Sequence, residues 1–263
     1  MRLEDICSMA ELMEAIGRSA EKGEKRDALA DAHVCLRANQ VNYIVKGSSG
    51  QIADLPTLIT PAHFVRLAIP RFLATPGDIR ERVESLISTS RETMITTALV
   101  TVASHEIINR PIKWFAEGDL KTTMGPFTLR DRLLQRNAIG VYDQIPVKAS
   151  FGRDEAKALQ RDIGDALREG CNIGVYPEGR VSWRSSIFGW RMEPEHRSFA
   201  GVILAVQRAR VPCQVLPVGI CYQKRQFVLS FGDAIDPTAG KPREIAQCTM
   251  EAIKALTSSQ VEI

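Results

Sequence analysis

The amino-acid sequence predicts an α/β fold: a mixed, mostly parallel sheet flanked by helices and preceded by a small helical N-terminal subdomain. Two observations carry this expectation. From Thr96 onward, short apolar runs rich in β-branched residues alternate with segments whose apolar residues recur at helical spacing, the pattern of a sheet with crossover helices. Before that point, residues 1–92 are polar, mixed in charge and helical in spacing. The expected organisation is a helical subdomain over 1–92 and an α/β domain over 93–263.

Taken in order, Leu3, Ile6, Met9, Leu12, Met13 and Ile16 form one helical face. Gly47-Ser48-Ser49-Gly50 and Thr75-Pro76-Gly77-Asp78 break the pattern. Asp78 is placed to cap a helix through Ile79, Val83, Leu86 and Ile87, with Glu81 completing a capping box. Segment 58–73 has two readings: an interfacial stretch, from Phe64, Leu67, Ile69 and Phe72 beside Arg66 and Arg71, or a short buried helix, favoured by the interruptions at Pro61 and Pro70. Strands are expected at 98–102, 112–115, 138–142, 172–176, 214–220 and 227–231. Helices fill the gaps: Ala156, Leu159, Ile163, Ala166 and Leu167 share a face, as do Phe199, Val202, Ile203 and Val206, and finally Ile245, Thr249, Ala252, Ile253 and Leu256.

Composition narrows the function classes. A net charge of +3 is too small to argue for nucleic acid, and it suits an anionic lipid surface or an acidic carrier protein. The cysteines Cys7, Cys35, Cys171, Cys213, Cys221 and Cys248 form no Cys-x-x-Cys pair, and no signal-peptide pattern opens the chain, so free thiols in a reducing cytoplasm are expected. No uncharged apolar run reaches the roughly 18 residues that a membrane span needs. His33, His63 and His196 lack ligand-like spacing with cysteine or carboxylate, so no metal is expected.

The most informative stretch is Tyr176-Pro177-Glu178-Gly179-Arg180-Val181-Ser182. It follows the apolar run at 172–176, and Pro177 with Gly179 force the backbone out of regular structure at the strand's carboxyl end. Ligands of open α/β sheets bind at that edge, and here it would offer a carboxylate, a glycine and a guanidinium. Farther along, Arg180, Arg184, Arg191 and Arg197 are interleaved with Trp183, Phe188 and Trp190. That cluster reads as a substrate-covering loop or a solvated loop; Glu193 and Glu195 dilute the charge, so nucleic acid is not expected.

Three ordered blocks resemble the glycerolipid acyltransferase family, of which lysophosphatidate acyltransferases are members. The first is the Tyr176-to-Ser182 stretch, similar to the family's Phe-Pro-Glu-Gly block. The others are Val211-Pro212-Cys213-Gln214-Val215-Leu216-Pro217-Val218-Gly219-Ile220 and Phe231-Gly232-Asp233-Ala234-Ile235-Asp236-Pro237. The family's catalytic base is a histidine at the end of the domain's first strand, oriented by an aspartate five residues on. On this resemblance His105 is the expected base, after the strand at 98–102, but five residues on stands Arg110. Loss of the orienting acceptor in an analogous triad costs about 10⁴ in rate, so Glu106, Glu117, Asp119 or Asp143 is needed in its place. Asp143 also stands near the position of the family's phosphate-binding arginine and would repel an anion, unless Arg136, Lys148 or Arg153 substitutes.

The resemblance implies an enzyme that moves a fatty acyl group from acyl-CoA or acyl carrier protein to a hydroxyl, or an amine, of a small amphiphile such as a lysolipid. His105 and Glu178 would be catalytic, while Gly179, Arg180, Ser182 and Pro217 would bind substrate. No resident cofactor or metal is implied; the acyl thioester is the co-substrate. The expected setting is cytoplasmic, with a membrane surface as a further partner. The alternative is a catalytically silent relative that binds a lipid or acyl carrier protein, supported by the missing aspartate and the charge at Asp143.

Overall fold

A computed structural model of the chain describes residues 8–47, 52–62, 79–117, 139–147, 153–177, 197–223 and 226–258. Its centre is a seven-stranded sheet in the order β1-β7-β6-β2-β5-β3-β4. The strands are β1 (Tyr43–Lys46), β2 (Thr57–Pro61), β3 (Ile112–Glu117), β4 (Ile145–Val147), β5 (Asn172–Gly174), β6 (Gln214–Gln223) and β7 (Gln226–Phe231). From β6 to β4 the pairings are parallel; β7 returns antiparallel to β6, and β1 runs parallel to β7. The α/β class, with a mostly parallel sheet, flanking helices and a helical N-terminal part, is therefore present as expected.

Alternation along the strands separates two cores. Ile59, Leu216, Val218 and Trp114 face one layer with Leu12 and Ile16 of α1 (Met9–Lys22), Val34 and Leu36 of α2 (Ala28–Ala38), and Leu99 and Val102 of α3 (Ile79–Ile108). Leu58, Ile173 and Val215 face the other, with Ile163 and Leu167 of α4 (Arg153–Arg168), Phe199 and Ile203 of α5 (Arg197–Ala209), and Ile245 of α6 (Pro242–Ser258). The result is an α/β/α sandwich whose parallel strands are covered on both faces.

The N-terminal helices carry complete end signals. Ser8 and Glu11 form a capping box on α1, and Gly23, at φ +67°, closes it. Asp27 caps α2 through the amides of Leu29 and Ala30. The expected cap at Asp78 lies outside the described residues.

Several expectations are corrected. Residues 98–102 are not a strand: they belong to the 30-residue helix α3. The run Ala98-Leu99-Val100-Thr101-Val102 is apolar and β-branched, but all of it is buried in a helix packed between α2 and the sheet, where tertiary burial outweighs β-propensity. Residues 139–141 are helical and not a strand. Asp143 then takes a left-handed φ of +54°, and the strand begins only at Ile145. The carbonyls of Gly140 and Val141 are taken by Lys25 and by the amide of Arg26, which draws the segment to the N-terminal helices. The beginning of segment 58–73 is neither interfacial nor helical. It is the strand β2, with Leu58 and Ile59 fully buried; residues 63–73 lie outside the described residues. Thus the first 92 residues supply two strands of the sheet as well as helices.

Candidate functional site

The described residues that lead into the expected Pro-Glu-Gly segment lie at the carboxyl edge of the parallel strands. Strands β2 and β5 are direct neighbours, with Leu58 opposite Ile173 and Ile59 opposite Gly174, and the Val175 amide donates to the Ile59 carbonyl at 3.0 Å. This pairing has an offset of 115 residues, the same that separates Thr57 from its bonded partner Asn172. Past the paired residues, Ala62 and Pro177 are both buried, and the residues that follow them in the sequence, His63 and Glu178, lie outside the described residues. β4 runs parallel to β3 and ends at Val147.

The approach to the turn is held by a closed circuit of side chains. The Tyr176 ring stacks on Trp114, with centroids 5.4 Å apart and planes at 24°. The hydroxyls of Tyr176 and Thr97 are hydrogen-bonded at 3.0 Å. The Thr101 hydroxyl donates to the Thr97 carbonyl at 2.8 Å and accepts from the Trp114 indole N–H at 3.0 Å. Gly174 makes room for this: a Cβ there would lie 2.4 Å from the Trp114 ring.

Pro217 is buried within β6, in register with Thr60 of β2. Its carbonyl accepts from the Gly232 amide at 2.9 Å, and its ring packs where a side chain on Gly232 would stand. It therefore shapes the sheet close to the carboxyl edge. Glu178, Gly179, Arg180 and Ser182 lie outside the described residues, as do Asp119, Arg136, Lys148 and the aromatic and arginine-rich stretch up to Trp190 and Arg191.

The structure does not bring His105 to this edge. His105 is in the last turn of α3, not at the end of a strand. Thr97 stands beside Tyr176 at the carboxyl end of β5, and α3 runs from there toward the amino edge, where Arg110 bonds Asp54 and the Gly170 carbonyl ahead of β2 and β5. His105 is two turns past Thr97, about 12 Å along the axis. Among the described residues no carboxylate bonds its ring. Glu106 accepts from the Tyr43 hydroxyl at 3.0 Å. Burial first, and then that bond, raise the Tyr43 pKa.

Asp143, too, has a different role from the one its sequence position suggests. Lys113 contacts it at 2.9 Å and Glu169 at 2.8 Å, and Lys25 adds a contact to Asp143 at 3.4 Å. The hydrogen bond from Lys113 holds the Asp143 carboxyl below the ordinary range, against the opposing effect of burial. Asp143 precedes β4 and so stands at its amino end. Its charge is engaged there by Lys113 and Lys25.

Sequence reasoning passed over β2 as a strand that leads to this edge; the signal was present as an apolar run, Thr57-Leu58-Ile59-Thr60, followed by Pro61-Ala62-His63, of which His63 lies outside the described residues. Five residues beyond His63 stands Ala68, so this histidine also lacks an aspartate at that spacing. Among the described residues no group of His, Cys, Asp and Glu is arranged to hold a metal, and no helix is long and apolar enough to cross a membrane. Comparison with protein-family models, with curated proteins and with solved structures returned no match to the chain.

Proposed function

We propose that the chain is an acyltransferase that moves a fatty acyl group from an acyl thioester, acyl-CoA or acyl carrier protein, to the hydroxyl of a small anionic amphiphile such as a lysolipid. The observation that supports this reading is the pairing of β2 with β5, two neighbouring strands that are followed in the sequence by His63 and by Glu178 respectively. The motif resemblance supplies the chemistry. A histidine from a strand end acts as general base, and the neighbouring carboxylate holds its other ring nitrogen.

In this mechanism His63 replaces His105 as the base, and Glu178 takes the orienting role of the absent aspartate. His63 removes the proton of the acceptor hydroxyl while its oxygen attacks the thioester carbonyl. The carbon–sulfur bond then breaks, and the proton passes from the imidazolium to the leaving thiolate. No covalent enzyme intermediate forms. Lys148 and Arg180 neutralise the acceptor's anionic group, Gly179 and Ser182 line the turn beside it, and Pro217 shapes the sheet below.

A silent relative that binds lipid or acyl carrier protein is the second reading, favoured by Ala68 and Arg110 at the positions where an aspartate would follow each histidine. Thioester consumption with palmitoyl-CoA and palmitoyl-acyl carrier protein, against lysophospholipid acceptors, separates the two. His63→Ala and Glu178→Gln are expected to lower kcat/KM by roughly 10² to 10⁴. His105→Ala is expected to stay within about threefold of the parent, as for a residue far from the reacting atoms. No turnover with any donor and acceptor would favour the binding protein, and loss of turnover in His105→Ala with an active His63→Ala would reverse the assignment.

A further inference from the structure

We propose that Tyr176 is a positioning residue for Glu178, two residues on in the sequence: its hydroxyl fastens the chain at Val175-Tyr176-Pro177, just past β5, to α3. For its catalytic consequence this rests on the function proposed above; its mechanical consequence does not.

The argument starts from the backbone. Pro177 has a φ confined near −65° by its ring, and a residue before proline is confined to extended conformations, so the Tyr176-Pro177 step is stiff in itself. A stiff step transmits whatever holds Tyr176. The stack on Trp114 resists motion of the Tyr176 ring along its normal, and the bond between the Tyr176 and Thr97 hydroxyls, at the ring's edge, resists motion within its plane.

Thr97 and Trp114 are fixed in turn. Thr101, one helical turn beyond Thr97, donates to the Thr97 carbonyl and accepts from Trp114, so the two aromatic rings are tied to successive turns of one helix. A phenylalanine at position 176 would fill the same space and keep the stack. The hydroxyl is therefore not required for packing. Placed among the apolar residues of the α3 layer, it gains a partner there that sets the ring's position rather than its burial.

The test compares Tyr176→Phe, Thr97→Val and Thr97→Ser with the full-length parent by two readouts. In amide hydrogen exchange, Tyr176→Phe and Thr97→Val are expected to speed exchange of the Val175 amide, which donates to the Ile59 carbonyl, about tenfold while β6 and α6 are unchanged, as for a local opening. Thr97→Ser keeps the hydroxyl and restores protection. In acyl transfer, kcat is expected to fall roughly 10- to 100-fold with KM within about twofold, the signature of a misplaced catalytic group. Unchanged exchange at Val175, or faster exchange spread equally over β6 and α6, overturns the proposal. So does a change confined to KM. If the exchange responds as expected but the parent transfers no acyl group, the positioning role stands and the acyltransferase reading falls.

Discussion

Asp31 is 3% exposed, and its carboxyl oxygens accept two hydrogen bonds of 2.6 Å from Arg26 and a third of 2.7 Å from the Tyr142 hydroxyl. The Asp31 hydrogen bond raises the Arg26 pKa against the opposing effect of burial. Burial raises Tyr142, reinforced by the Asp31 charge, so the phenol stays a donor. The cysteines show the same physics with a measurable sign. Burial, assisted by the charge of Asp236, pushes the Cys213 thiol from 9.0 up to about 11. Between those values the unfolded chain has released this proton and the folded chain has not. The folded state then binds more protons, so its stability is full below the unfolded pKa and declines as pH rises toward about 11. Urea unfolding at about pH 8 and about pH 11 should therefore show a larger drop in the parent than in Cys213→Ala. Equal drops would mean that the thiol titrates as it does in the unfolded chain.

Among the elements, α3 and β5 show how local pattern and tertiary setting divide the work. The strands β3, β5, β6 and β7 and the helices α4, α5 and α6 were legible because each repeats its own period within one segment. α3 was misread over 98–102, although no glycine or proline occurs between Gly77 and Pro111, and this unbroken stretch was a better guide than the β-branched residues inside it. β2 was hidden because prolines bracket it at Pro56 and Pro61. The Pro-Glu-Gly motif stands out from its own residues, whereas the adjacency of β2 and β5 is a pairing between strands 115 residues apart that no local pattern encodes. Gly174 is the tightest point of this arrangement. A methyl group there meets the Trp114 ring at 2.4 Å, and that ring is held by Thr101 and Tyr176 and has nowhere to retreat. Gly174→Ala should cost about 1 to 3 kcal/mol in urea unfolding. Gly201→Ala, in α5 with nothing within 4 Å, should be neutral or stabilising by up to about 1 kcal/mol. Similar behaviour in the two variants would show that Trp114 is not fixed where the structure has it.

At the scale of the whole molecule, β2 decides which parts of the chain depend on one another. It lies between β5 and β6, so its removal would leave both neighbours with unpaired backbone groups inside the sheet. Side chains reinforce the join: Asn172 accepts from the Thr57 amide at 3.0 Å, and Gln214 donates to the Ala53 carbonyl at 2.8 Å and to the Thr57 hydroxyl at 3.0 Å. The same N-terminal residues carry α1 and α2, which cover Ile220, Phe227, Leu229 and Phe231 on one face of the sheet. A fragment comprising 93–263 would therefore present an open gap at the sheet's centre and an uncovered apolar face. Expressed alone, it should lack a cooperative urea transition by circular dichroism, and adding the 1–92 fragment in excess should restore one by binding the folded form. A cooperative transition from 93–263 alone would show instead that the α/β domain is a separate folding unit, able to close its sheet between β5 and β6 without β2.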